Sequence, residues 1–251
     1  MDKWTHLNRV NGIVTIRLTS WKYFGDFINQ ELLSSTEYIF RGQKDKSWKL
    51  QPTFDRIVSI HSSDYATRKS EHLVKFKYYS RGRLKLEHRS QLLNDNDWWA
   101  IGQHNGLTTP LLDWTDSPFI AAYFAFEEEN KKIPTERIIY AIATDYIKEY
   151  SENKIELFYS HNDENPRLIN QRGLFTIAKD KIDIETHIKK RFVDGKNKIA
   201  LIKIIVPEKK VNDRVEFLKF LNRMNINHLT LFPDLTGTGN YCNKSLTIDK
   251  Y

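Results

Sequence analysis

The side chains best suited to chemistry fall into four short stretches. Phe40-Arg41-Gly42-Gln43 ends an apolar run with an arginine. A planar guanidinium leaving a core strand needs a partner, and it grips a carboxylate or a phosphate with two parallel hydrogen bonds. Gly42 permits close approach of a ligand or of another backbone. Gln103 to Thr115, QHNGLTTPLLDWT, supplies His104, Asp113 and Thr115. Asp113 and Thr115 share one side of an extended chain, with Trp114 on the other. Asp113 is suited to acid–base work, to holding His104 or to capping the helix that follows, and Thr115 to capping at Ser117-Pro118. Asn170-Gln171-Arg172-Gly173 sets polar groups before a strand. Leu231-Phe232-Pro233-Asp234-Leu235 places an acid just after an apolar run, as a turn residue or a site carboxylate.

Other chemistries find no support. HExxH, P-loop and GxGxxG patterns are absent, and the single cysteine, Cys242, gives neither a disulfide nor a zinc spacing. His61, His72, His88, His161 and His187 lack metal-ligand spacing and read as surface residues, so no metal is expected. The run of glutamates at 127–129 reads as a solvated helix end. MDKWTHLNRV has no apolar signal-peptide core, and no apolar run reaches the roughly 18 residues of a membrane span. A soluble, cytoplasmic protein with no membrane partner is expected.

Hydrophobic residues make up 40% of the 251, enough for a sizeable core. Alternation predicts strands at 13–18 and 38–41. Helices are predicted at 21–33, capped by Ser20, at about 66–86, at 98–104 and at 119–128, the last with a proline in its first turn. Extended segments at 110–114, 137–143, 173–177 and 198–206 follow, the last ended by Pro207. A helix over 208–224 and a short strand over 228–232 complete an α+β chain, read as a single domain with a helical insertion at about 60–105. The net charge is +7, with Lys and Arg outnumbering acids between Arg68 and Arg89. Arg68, Lys75, Lys77, Arg81 and Arg83, interleaved with Phe76, Tyr78 and Tyr79, are candidates for nucleic-acid binding; the same aromatics at helical spacing also suit a core.

Taken in order, FRG at 40–42, QHNGLTTPLLDWT at 103–115, SPFIAAYFA at 117–125, NQRGLF at 170–175 and LFPDLTG at 231–237 resemble the FRG domain, named for its Phe-Arg-Gly. That family is similar in pattern to ADP-ribosyltransferases and has been linked to bacterial conflict systems. The resemblance implies an ADP-ribosyltransferase-like split mixed β-sheet, with the motifs spanning about residues 38–237. It also implies a mono-ADP-ribosyltransferase that consumes NAD, as a toxin or anti-phage effector; a toxin would bring a protein antitoxin, and the basic surface at 68–89 makes nucleic acid the candidate acceptor. Arg41 matches the NAD-binding arginine, with Gly42, Gln43, Thr115 and Gln171 beside it, and Asp113-Trp114-Thr115 takes the place of the Ser-Thr-Ser strand. The place of the catalytic glutamate falls on Asn170-Gln171-Arg172-Gly173, which has none, so the acid is expected from Asp234 or Asp113. The alternatives are a non-catalytic nucleotide or nucleic-acid binding module and a metal-free ribonuclease using His104 and Asp113.

Overall fold

The computed structural model describes all residues except 1, 35–36, 62–63, 84–92, 153, 161–165, 180 and 194–197. Its centre is an eight-stranded mixed sheet with β1 (Trp4–Val10), β2 (Ile13–Leu18), β3 (Tyr38–Gln43), β4 (Leu111–Thr115), β5 (Thr135–Ala143), β6 (Ile155–Phe158), β7 (Gly173–Ala178) and β8 (Leu201–Glu208). The order across the sheet is β1-β2-β8-β5-β3-β4-β7-β6. β2 and β8 run parallel and all other neighbours antiparallel. β3 pairs with β5 over six residues but with β4 only at Phe40–Thr115. One residue pair thus joins a five-stranded part of the sheet to a three-stranded part.

Central β5 is buried from Arg137 to Ala143 because both its faces are covered, as expected of an interior strand. Ile139 and Ala141 face one layer with Phe40, Ile202 and Ile204. Ile138, Tyr140 and Ile142 face the opposite layer with Ile39, Trp114 and Leu174. The first layer is covered by α1 (Phe24–Phe27), α5 (Pro118–Phe126) and α8 (Val211–Arg223), the second by α7 (Ile184–Arg191). A third cluster packs α3 (Tyr65–Tyr79) and α4 (Asp95–His104) onto Leu111, Phe175 and Ile177. By alternation this is the face of β4 that also carries Asp113 and Thr115.

α5 is seated by small residues. Ser117 caps its start by accepting from the Ile120 N–H, and Pro118 supplies the first turn. Ala121, Ala122 and Ala125 are fully buried. Gly42 lies directly beneath them: a Cβ there would fall 1.8 Å from the Ala121 carbonyl oxygen. Gly42 therefore serves helix–strand packing, which answers the choice between ligand and backbone approach. At the other end of α5, Arg137 donates to the Ala125 and Glu128 carbonyls, and Arg214 donates to those of Phe126 and Glu127. Arg137 is itself fully buried and paired with Glu208 at 2.6 Å.

Several expected elements are corrected. Residues 21–32 form a helical run, but it passes from 3-10 (Trp21–Tyr23) through α to π geometry (Ile28–Leu32). β8 continues through Pro207, which pairs with Glu136 on β5. β2 pairing has ended at Ile205, so no ladder bond is lost to the missing N–H. The segment expected as a strand at 228–232 is instead the short helix α9 (His228–Leu231), started by a capping box at Asn227. The helical insertion begins earlier than expected, with α2 (Thr53–His61). The part of the expected helix at 84–86 lies outside the described residues. Among those residues, no helix is long and apolar enough to cross a membrane.

Gly42→Ala is expected to cost about 3 kcal/mol or to prevent folding, since the new methyl meets the α5 backbone at Ala121 and Ala125. Chemical denaturation checks this, and wild-type stability in that variant would contradict the packing role.

Candidate functional site

Where β3 and β4 part company, a cleft lies between the two portions of the sheet. Its inner chamber has a volume of 390 Å³. Phe40 to Gly42, Asp113 to Thr115 and Gly173 to Phe175 form the floor; Gln103 and His104 of α4 and Phe124 of α5 stand in the walls with Phe232. Arg167 and Gln171 close the remaining side, from α6 (Pro166–Asn170) and the turn after it. An outer, more polar chamber of 480 Å³ is lined by Gln43, Lys44, Thr53, Arg56, Thr108 and Thr109 among others. The chambers adjoin, sharing Arg41, Gly42, Gln103, Asp113 and Phe124. Each falls in the range of about 300–1,000 Å³ common for small-molecule sites.

Arg41 bridges the strand gap. Its Nη1 donates to the Asp113 backbone carbonyl at 2.8 Å and lies 3.5 Å from the Asp113 carboxylate. Its Nε is buried without a partner. Burial draws the Arg41 pKa below its ordinary value, an effect opposed by Asp113; a guanidinium so placed still carries its charge. Gln103 sets the other side of Asp113. Its amide nitrogen donates to Asp113 Oδ1, and its carbonyl accepts from the Thr109 hydroxyl. The relay Thr109–Gln103–Asp113–Arg41 fixes the acid in the cleft while leaving its side chain 60% exposed. Asp113 was expected to hold His104 or cap a helix; its partners are Gln103 and Arg41, and Ser117 makes the cap.

His104 lines the inner chamber beside Arg167. Desolvation lowers its pKa first, the Arg167 charge adds to this, and Asp234 opposes it. Its imidazole is therefore largely neutral at pH 7. Thr115 is buried, and its hydroxyl accepts from the Ser117 N–H at 3.1 Å while still bordering the inner chamber. Gln171 also borders that chamber and donates to the Leu231 carbonyl at 3.0 Å, tying the turn before β7 to α9. Gln43 is buried against the outer chamber, with its amide 3.4 Å from the Lys49 carbonyl.

Asp234 stands differently from the expectation that it supplies catalytic acid. It caps α10 (Leu235–Thr247) by accepting from the Gly237 N–H at 2.7 Å, and it pairs with Arg167 Nε at 2.7 Å. Those two contacts, Gly237 first, hold its carboxyl below the usual carboxylate range. It lines neither chamber. Its structural effect is to hold Arg167, whose guanidinium lies 5.4 Å from the Phe232 ring centroid, at the wall of the inner chamber.

The basic candidates lie on or just after α3, outside both chambers. Lys77 is paired with Asp95 at 2.6 Å. Arg68, Lys75, Arg81 and Arg83 are exposed. Phe76 is half-buried against Trp98, whereas Tyr78 and Tyr79 are 58% and 69% exposed, and Arg81 lies 3.8 Å from the Tyr78 ring centroid. Only part of that aromatic set is core.

Two histidines expected at the surface are only partly exposed. His72 is half-buried beside Phe54 and Trp99, with Nε2 3.0 Å from the Thr108 carbonyl, and His187 is half-buried near Tyr146. His88 and His161 lie outside the described residues, as does the side chain of His61. Glu127, read as solvated, is held by His228 at 2.8 Å and Lys244 at 3.2 Å, with Tyr123 also bonded to Lys244. His228 falls in the stretch expected as a strand, and no sequence pattern marked it for this contact.

Residues 36–133 match the family model of the FRG domain. The match takes in β3, α4, β4 and α5, and it ends before the 170–175 and 231–237 stretches. No match was found among curated proteins or among solved structures.

Histidine NMR should show His104 titrating below 6.5, the ordinary value, with protonation appearing only as pH falls through that lowered value. Arg167→Gln should move the titration upward. A His104 pKa at or above 6.5 would contradict the electrostatics described.

Proposed function

Because residues 36–133 of this chain are an FRG domain, we propose that the cleft binds NAD and transfers ADP-ribose from it, as in an ADP-ribosyltransferase-like split-sheet fold. The observation that carries this reading is Arg41 clasped to Asp113 at the point where β3 and β4 separate. That geometry sets a fixed cation and an accessible carboxylate side by side, between an aromatic-walled chamber and a polar one.

The chemistry follows from those groups. Nicotinamide leaves with the electron pair of its bond to ribose C1′, and the sugar passes through an oxocarbenium-like centre. Asp113 is the carboxylate that opposes the developing positive charge. The acceptor's nucleophilic atom then forms the new bond to C1′ and loses a proton, which neutral His104 accepts. Arg41 holds phosphate, Gln171 and Thr115 border the ribose, and aligned positioning supplies much of the acceleration.

Nucleic acid is the acceptor we favour, on the observation that Tyr78 and Tyr79 are exposed at the end of α3 with Arg81 against the Tyr78 ring, and that Arg68, Lys75 and Arg83 are exposed on or just after the same helix. Exposed aromatics stack bases while the cations hold phosphates. Transfer of this kind suits a toxin or anti-phage effector, which would require a neutralising protein partner in its own cell.

A second reading has its own support: 170–173 contains no glutamate, and the Asp234 carboxylate is committed to Arg167 and Gly237. A binding module would hold NAD without cleaving it.

Labelled NAD incubated with pure protein and with protein, DNA and RNA acceptors separates the two. Release of nicotinamide with labelling of one pool is expected, and Arg41→Ala should reduce it about 100-fold or more. NAD bound but intact would favour the binding module, and unchanged release by a folded Arg41→Ala protein would overturn the proposed site. Tyr79→Ala should weaken single-stranded RNA binding about tenfold, with wild-type binding steeply salt-dependent; unchanged affinity on filter binding would remove the acceptor proposal.

A further inference from the structure

The outer chamber contains a second arginine that the catalytic reading leaves unused. Arg56 projects from the first turn of α2 and lines that chamber with Arg41. Its Nη2 donates to the Thr53 hydroxyl at 2.9 Å, which directs the guanidinium along the chamber wall. Three acids border the same chamber: Glu128 pairs with Lys44 at 3.0 Å, Glu127 with His228 and Lys244, and Asp113 lies 3.5 Å from Arg41. The Arg56 charge acts against that of Arg41, a repulsion that an anion between them would relieve. Arg41 Nε, buried and unpartnered, leaves a donor unsatisfied, and such a group is costly unless something fills the position. Thr53, Thr108 and Gln103 add neutral donors around the same space.

We propose that the outer chamber is a phosphate site in which Arg56 and Arg41 grip the diphosphate of a nucleotide whose ring lies in the aromatic inner chamber. The inference rests on the proposed NAD reading but deepens it, by assigning a binding residue on α2 that no sequence motif marks. Arg56 binds and orients; it takes no part in bond breaking.

Titration calorimetry with ADP-ribose, AMP and adenosine tests it on the full chain. Wild type should bind ADP-ribose more tightly than adenosine. Arg56→Ala should weaken ADP-ribose about tenfold and leave adenosine unchanged, the scale of a lost hydrogen bond to a charged group. Arg56→Gln, which keeps most of the stem, should behave like Arg56→Ala, and thermal melts establish that both variants fold. Equal loss for adenosine, no loss for ADP-ribose, or no binding of any probe by wild type would overturn the proposal. Nicotinamide release by wild type is read separately. Release together with wild-type ADP-ribose affinity in Arg56→Ala sinks this inference alone. No release together with a selective ADP-ribose loss sinks the transfer chemistry and leaves the phosphate site standing.

Discussion

The bond from the Arg41 guanidinium to the Asp113 backbone carbonyl is the contact on which the rest of the site depends. β3 and β4 are neighbours in one sheet, yet beyond Phe40–Thr115 their backbones are not paired. Unpaired strand backbone beside a core needs other partners. Arg41 meets that need for one carbonyl and at the same time brings a charge to the floor of the cleft. A lysine would reach the same oxygen as a point charge, without the planar fork that serves carbonyl and carboxylate together. The separation that costs strand hydrogen bonds is what opens the cleft.

Two devices keep that separation in place. On one side, α5 lies hard against β3 because Gly42 and three buried alanines let the backbones approach, and Arg137 and Arg214 secure its far end. On the other, α4 hangs over β4 through Trp99 and Leu111, and delivers Gln103 to Asp113. Each portion of the sheet thus carries its own helix, and the cleft is the space between them. The third wall, with Arg167, Gln171 and Phe232, is joined by bonds from Gln171 to the Leu231 carbonyl and from Arg167 to the Asp234 carboxylate.

Much of this was legible in the sequence. The apolar run ending in Arg41, the alternation that puts Asp113 opposite Trp114, and the Ser-Pro start of α5 all have local causes, and local causes leave local patterns. What was hidden depends on distant partners. Asp113 followed by an apolar helix looks like a cap, and only the fold brings Gln103 and Arg41 to it. Asp234 after an apolar run reads equally as a turn residue or a site acid, and the capped Gly237 N–H with the Arg167 pair decides its position. Glu127 in a row of glutamates looks solvated until α9 and α10 bring His228 and Lys244 against it. β1 escaped notice because it is an edge strand, exposed along six of its seven residues, with little apolar alternation to read.

The central claim is that the ligand enters where β3 and β4 separate and contacts Arg41. Hydrogen–deuterium exchange with and without NAD tests it most directly. Slowed exchange is expected at residues 40–43, 53–56, 103–115 and the turn at 170–173. Slowed exchange elsewhere with none in those segments, or no change at saturating NAD, would contradict it.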